Sequence, residues 1–259
     1  MAARSIWNGT ITFGQVRIPV KLFSAIGTKA IRFREVHLED GTPLEHRRIC
    51  RAEEKPVPYD EIVKGYEVTP DEFVILDRDD IRAAAADRGK ILDLEEFVDA
   101  SEIDPVLFER TYYLGFRDDP EPYALLEAAL GKCGRAGIGR FSLRGREYLV
   151  AVRASDGHLL LHTMKFHDEV VRTSDLDMPD LPEKSDPREL KMAKALIGSL
   201  TEPFKPGTYE DRHRAEVMKV IRAKASGKEV GTVDAPESDA GDDLAAALEA
   251  SLAERKVRF

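Results

Sequence analysis

The chain has 259 residues, of which 42% are hydrophobic and 34% charged, with a formal net charge of −9. That length accommodates one large domain or two modest ones around a sizeable core, and no apolar run approaches the roughly 18 residues a membrane helix needs. The start of the chain lacks the apolar core of a secretory leader, and Cys50 and Cys133 stand far apart, so the composition fits a reducing cytoplasm and excludes a disulfide framework.

Residues 5–12 are β-branched and apolar enough for a first strand, with Gly9 as a bend. After Gly14, Val16, Ile18, Val20 and Leu22 alternate with polar or small neighbours, which predicts a second strand with one buried face. Pro19 in that strand requires an edge or a bulge, because it has no N–H. Residues 31–51 follow as an arginine-rich arm. Asp40-Gly41 and Pro43 supply turn chemistry between two short flanks, predicting a β-hairpin with a loop of about five residues. Residues two apart on a strand share a face, so Arg32 and Arg34 point together, away from Ile31 and Phe33. A guanidinium face of this kind matches phosphate oxygens.

A short helical turn is predicted near 59–63, strands at 66–68 and 73–76, and a helix from Asp79 or Asp80 to about Asp87, ended by Gly89. Strands are predicted at 91–98 and 110–116, a turn at 103–108, and a helix at 122–130 closed by Gly131. Three strands at 138–144, 147–153 and 158–165, broken at Arg144-Gly145-Arg146 and Ser155-Asp156-Gly157, form a meander. Many short strands separated by turns predict a barrel or sandwich rather than a doubly wound fold. A proline-rich acidic linker at 175–187 leads to helices at about 187–200 and 208–227. Residues 228–241 have a disordered composition, and 242–255 carry Leu244, Leu248 and Leu252 at helical spacing. No internal repeat is evident.

Charge is segregated. Residues 1–34 hold Arg4, Arg17, Lys21, Lys29, Arg32 and Arg34 and no acid. Residues 57–131 hold 20 acids against 7 bases. Residues 132–153 hold six bases and only Glu147, and 188–228 hold 10 bases against 5 acids. Residues 229–259 return to 8 acids against 3 bases. Segregation on this scale predicts a positive face on an acidic molecule.

No phosphate-binding glycine loop, nucleophile elbow or paired zinc motif is present. His37, His46 and Cys50 on the arm are three donors, one short of a closed zinc site. His158 and His162 fall on one face of a strand without an evident carboxylate. Two further functions are therefore weighed: a regulator reading a DNA groove with a β-ribbon, and a hydrolase using His158 and His162.

The chain resembles the bacterial Ku family, the DNA-end-binding proteins of non-homologous end joining. The resemblance rests on ordered stretches: Ser5-Ile6-Trp7-Asn8-Gly9-Thr10, Phe13-Gly14, Ile18-Pro19-Val20-Lys21-Leu22, Ile31-Arg32-Phe33, Val57-Pro58-Tyr59 and Ile62-Val63-Lys64-Gly65-Tyr66-Glu67. It continues through Glu102-Ile103-Asp104-Pro105, Tyr112-Tyr113-Leu114, Gly137-Ile138-Gly139-Arg140-Phe141 and Glu189-Leu190-Lys191-Met192-Ala193 to Phe204, Pro206 and Tyr209. Together these cover residues 4–228. The resemblance implies a mainly β, α+β fold: a Ku-type β-barrel core over 1–184, an extended DNA-encircling arm at about 28–58, a helical C-terminal region at 185–228 and an acidic tail at 229–259. It implies a homodimeric ring around double-stranded DNA ends, without sequence specificity and without catalysis or cofactor. It also implies recruitment of an ATP-dependent DNA ligase or ligase–polymerase fusion, and a cytoplasmic, nucleoid-associated location.

The DNA-contacting candidates are Arg17, Lys21, Lys29, Arg32, Arg34, His37, Arg47, Arg48 and Arg51. The ligase-recruiting candidates are Lys191, Lys194, Arg212, Arg214, Lys219 and Arg222. Some family members carry a zinc-ribbon-like Cys-x-x-Cys in the arm; here Cys50 is followed by Glu53, so no metal is expected. A lysine-rich tail found in many members is replaced by an acidic one.

Overall fold

The computed structural model describes residues 4–77, 79–81, 90–179, 186–227, 248 and 251. The chain divides into two compact units, residues 1–176 and 177–259. Residues 82–87 of the expected helix, residues 180–185 of the linker and nearly all of the expected C-terminal tail and helix lie outside the described residues.

The first unit is built on seven strands closed into a barrel. They are β1 (Trp7–Phe13), β2 (Val16–Ser24), β5 (Ile91–Asp99), β6 (Phe108–Phe116), β7 (Arg135–Leu143), β8 (Arg146–Ser155) and β9 (His158–Met164), in the order β1-β2-β6-β9-β8-β7-β5. All neighbours run antiparallel except β1 and β5, which close the barrel in parallel through Thr10↔Ile91 and Thr12↔Asp93. Closure leaves the barrel without a free edge. Thr12 Oγ1 reinforces the parallel seam by donating to Asp93 Oδ1 at 2.7 Å.

Alternation explains the core. On β2, Ile18, Val20 and Leu22 are buried while Arg17, Pro19 and Lys21 face outward. Ile11, Leu92, Leu114, Phe141, Val150, Val152, Leu159 and Leu161 fill the same interior from the other strands. Trp7 meets Phe141 edge to face, with centroids 5.5 Å apart. Gly139 sits where β7 approaches β5 too closely for a side chain: a Cβ there would lie 1.9 Å from the Asp93 carbonyl oxygen. Pro19 lies neither on an edge nor at a bulge, since β2 pairs on both sides; it sits at the end of the β2–β6 ladder. Its carbonyl accepts from Arg117 N–H at 3.0 Å, and a strand residue points N and O to the same side. Its missing N–H therefore falls just beyond Val20↔Phe116, the terminal β2–β6 pair.

The meander breaks where the turn residues predict. Arg144 and Gly145 (φ 56° and 78°) join β7 to β8, and Asp156 and Gly157 (φ 50° and 75°) join β8 to β9. Positive φ at both central residues is the tight hairpin geometry. The helix after β6 departs from its expected bounds. It is longer than its proline and glycine signals indicated: α1 runs Pro120–Cys133, capped by the Asp119 side chain on Glu121 N–H and ended by Gly134 rather than Gly131. Tyr123 of α1 reaches into the barrel end. Its hydroxyl donates to Leu114 O at 2.6 Å and accepts from Leu159 N–H at 2.9 Å. It thus joins β6 to β9 where their pairing stops.

Between β2 and β5 the chain leaves the barrel. A short hairpin, β3 (Lys64–Thr69) and β4 (Glu72–Leu76), stands here as a separate two-stranded sheet. The arm itself is not the expected ribbon. Residues 25–58 contain only two isolated bridges, Val36↔Pro43 and Ile49↔Pro56. The predicted turn at Asp40-Gly41 forms, but no ladder carries Arg32 and Arg34 onto one strand face. Each returning segment donates one bond beyond its bridge, Leu44 N–H to Glu35 O and Val57 N–H to Arg48 O, and no second pair follows.

The second unit contains α2 (Pro187–Leu200) and α3 (Arg212–Ala225). Asp186 caps α2 through Arg188 and Glu189 N–H, and Asp211 caps α3 through Arg214 N–H. Among the described residues no helix is long and apolar enough to cross a membrane.

Candidate nucleic-acid interface

The expected DNA-contacting residues separate into two sets. Arg17 and Lys21 project from the outer face of β2, and Lys29, Arg32 and Arg34 continue outward along the arm. Between residues 17 and 34 there is no acid, and none of these five bases makes an ion pair within the described residues. Arg51, exposed in the second turn of the arm, is likewise without one. The other three are engaged. Arg47 pairs with Glu45 at 3.2 Å. The Arg48 guanidinium lies over the Tyr59 ring, 5.2 Å from its centroid. His37 Nδ1 contacts Asp40 Oδ1 at 3.2 Å inside the first turn. Asp40 also accepts from Thr42 N–H at 2.9 Å, and these contacts, the Thr42 amide foremost, hold its carboxyl below the usual range.

The second basic segment, 132–153, is absorbed by the barrel. Arg135 faces Asp99 at 3.9 Å, Arg140 faces Glu95 at 3.7 Å and Glu147 at 4.0 Å, and Arg146 faces Glu169 at 3.9 Å. Arg153 Nε donates to His162 Nε2 at 2.9 Å. The acids that make this unit negative in sequence neutralise its bases in space, which removes most of this segment from the expected positive face.

Cross-chain charge counting could not reveal a second feature of the arm. From Phe33 to Ile75 the arm and the β3–β4 hairpin that follows it carry exposed apolar side chains, among them Phe33, Val36, Leu38, Tyr66, Phe73 and Ile75, with Leu38 at the first turn 99% exposed. Every residue of β3 is exposed. A lone two-stranded hairpin is marginal in water, and apolar surface this extensive marks an interface. The available signal was a set of apolar residues without a consistent period.

His158 and His162 do not form a reactive pair. His158 is exposed, whereas His162 is 5% exposed, stacked beside Phe108 and bound by Thr111 Oγ1 at Nδ1, 3.0 Å away. Because Nε2 accepts from Arg153, the ring is held as the neutral Nδ1–H form. Burial, then the Arg153 charge, lowers its pKa from 6.5 to about 4. Among the described residues no group of three or more His, Cys, Asp or Glu is placed to hold a metal ion.

In the second unit, Lys191 and Lys194 are exposed on α2, and Arg212, Arg214, Lys219 and Arg222 line α3, with Lys219 joined to Glu216 at 2.6 Å. Phe204 and Tyr209, between the helices, lie 5.7 Å apart and are 76% and 74% exposed. Their outward position was not anticipated.

Comparison with known proteins agrees with this architecture. The family model described as the Ku70/Ku80 beta-barrel domain matches residues 12–192. The chain is 43% identical to the non-homologous end joining protein Ku of Anaeromyxobacter sp. (strain K), over 99% of this chain and 87% of that protein. It is 35% identical to the non-homologous end joining protein Ku 1 of Geotalea uraniireducens, over 99% of each. It is 38% identical to the corresponding protein of Koribacter versatilis, over 98% of this chain and 87% of the relative. With a closed barrel interrupted by an arm between its second and third strands, and with matches along nearly its full length, the chain belongs to the Ku family.

Proposed function

We propose that this chain binds double-stranded DNA ends in break repair by non-homologous end joining, acting by capture rather than catalysis. The observation that carries this reading is the acid-free, unpaired basic run from Arg17 to Arg34, which leads from the barrel wall into the arm. Phosphates carry charge but no base identity, so contacts of this type position a protein on DNA without reading sequence.

The active species is a homodimer whose two arms close a ring. The exposed apolar residues of the arm and of β3–β4 support this, since a second copy offers them cover and brings two basic runs to opposite sides of one duplex. Arg51 and the rest of the arm then complete the phosphate contacts, with His37, Arg47 and Arg48 shaping the turns. The second unit recruits an ATP-dependent ligase or ligase–polymerase fusion through the bases of α2 and α3, and the protein works in the cytoplasm at the nucleoid.

Binding of a linear duplex across a salt series tests this reading. If two arms neutralise roughly 5–8 phosphates, log affinity falls with log salt at a slope of about −5 to −7. The bound species should contain two chains and supershift with purified ligase. A slope near −1, or a one-chain complex, contradicts it. The β-ribbon regulator is disfavoured because a groove-reading ribbon needs paired strands, and the arm has only single bridges. The hydrolase is disfavoured by the buried, fully engaged His162.

A further inference from the structure

The arm contains a repetition that residue identities conceal. In its first turn His37 N–H donates to Thr42 O at 2.8 Å, Gly41 N–H to His37 O at 2.8 Å and Leu44 N–H to Glu35 O at 3.0 Å. In its second turn Cys50 N–H donates to Lys55 O at 2.9 Å, Glu54 N–H to Cys50 O at 2.8 Å and Val57 N–H to Arg48 O at 2.9 Å. Each bond of the second set is the first set displaced by 13 residues, and the two bridges, Val36↔Pro43 and Ile49↔Pro56, obey the same offset. So does the left-handed residue, Gly41 at φ 70° and Glu54 at φ 55°. The side chains then align as Val36 with Ile49, His37 with Cys50, Asp40 with Glu53, Pro43 with Pro56 and Leu44 with Val57. This overturns the expectation of no internal repeat.

Within one copy the first and fourth side chains converge, since His37 Nδ1 and Asp40 Oδ1 are 3.2 Å apart. Two ligands on a tetrahedral zinc, each about 2.0–2.1 Å from the metal, are separated by only slightly more. Two such turns in succession therefore have the form of a two-turn zinc site, the group that some Ku relatives imply. The donors present here do not fit it. Asp40 is already held by the Thr42 amide and the His37 ring. Glu53 offers a carboxylate where a thiolate would bind more tightly, and no three candidate ligands meet among the described residues.

We propose that residues 35–57 are a duplicated turn in which His37, Asp40, Cys50 and Glu53 occupy the four ligand positions of a two-turn metal site, and that this chain holds the arm without metal through the His37–Asp40 and Asp40–Thr42 contacts.

The test uses the full chain and a Asp40→Cys/Glu53→Cys variant, titrated with cobalt(II). The variant should bind one cobalt per chain with tetrahedral d–d bands and thiolate charge-transfer absorption, and zinc should raise its thermal midpoint. The parent should show neither band, and chelation with EDTA should leave its DNA affinity unchanged. A folded variant that binds no cobalt, or a parent that retains stoichiometric zinc after purification, overturns the proposal. If the variant loses its near-ultraviolet dichroism, amide exchange of the parent decides. Matched protection of Gly41 with Glu54 and of His37 with Cys50 supports the duplication, and protection of one turn alone overturns it.

Discussion

The barrel and the arm treat the same residue types in opposite ways. In the barrel, apolar residues point inward and arginines are matched to carboxylates, as with Arg135–Asp99 and Arg146–Glu169. In the arm, apolar residues point outward and Arg32 and Arg34 face solvent unpaired. The barrel satisfies itself, whereas the arm and its hairpin are shaped for something they must meet. Sequence charge counts cannot make this distinction, because the basic segment 132–153 and the basic run 17–34 look alike until the strands bring acids to one of them.

The comparison breaks most directly by exchanging charge. Reversal of Lys29, Arg32, Arg34 and Arg51 to glutamate should lower DNA affinity by about three decades at physiological salt, uniformly across sequences, while the thermal midpoint stays within a degree or two. Replacing Arg135 and Arg146 by glutamine should do the converse. DNA affinity should hold, and stability should fall by about 0–1 kcal/mol per pair, since these ion pairs are exposed. Gel shift and thermal melts of both variants check the pair. Equal loss of DNA binding in the two would erase the distinction between the regions.

The barrel alone carries a pH-dependent contribution to stability. His162 titrates near 4 when folded, against 6.5 as its ordinary value. Between those values the unfolded chain binds the proton and the folded chain does not. The stability gained from keeping the ring neutral is therefore complete above about pH 6.5 and is lost as pH falls toward 4. The loss amounts to roughly 3 kcal/mol at most, at 1.36 kcal/mol per pKa unit. Urea unfolding of the parent and His162→Gln across pH 4–7 measures it; identical slopes in the two proteins would contradict the assignment. A comparable effect is expected at the barrel end. Tyr123→Phe leaves Leu114 O and Leu159 N–H without their shared hydroxyl, a cost of about 1–3 kcal/mol for buried groups left unpaired, readable in the same unfolding curves with DNA affinity intact.

Much of the barrel was legible because alternation along β2 and the Gly-containing turns of the meander are local signals that closure reinforces. The helix boundary was less so, since Asp119 caps three residues ahead of Pro122, the proline that first attracts notice. The arm misled for a physical reason. Asp40-Gly41 does make a turn, but residues 32–49 are exposed throughout and have no buried face to hold a register, so each pairing stops at a single bridge and a ribbon never grows. The repeat was hidden because its two copies substitute histidine for cysteine and aspartate for glutamate while keeping the backbone bonds. At the candidate interface the unpaired run from Arg17 to Arg34 was visible in the absence of acids. The engagement of His37 and Arg48 depends on Asp40 and Tyr59, which the turns bring close, whereas Arg47 pairs with Glu45 two residues away.

The central claim is that DNA is captured at an end by a ring rather than gripped along its side. A gel-shift comparison of linear and covalently closed circular DNA of identical sequence, at physiological salt, tests it most directly. The linear form should be bound strongly and the circle weakly, with binding to the circle restored by a single double-strand cut. Equal binding to linear and closed circular DNA would contradict end threading, leaving only backbone attraction.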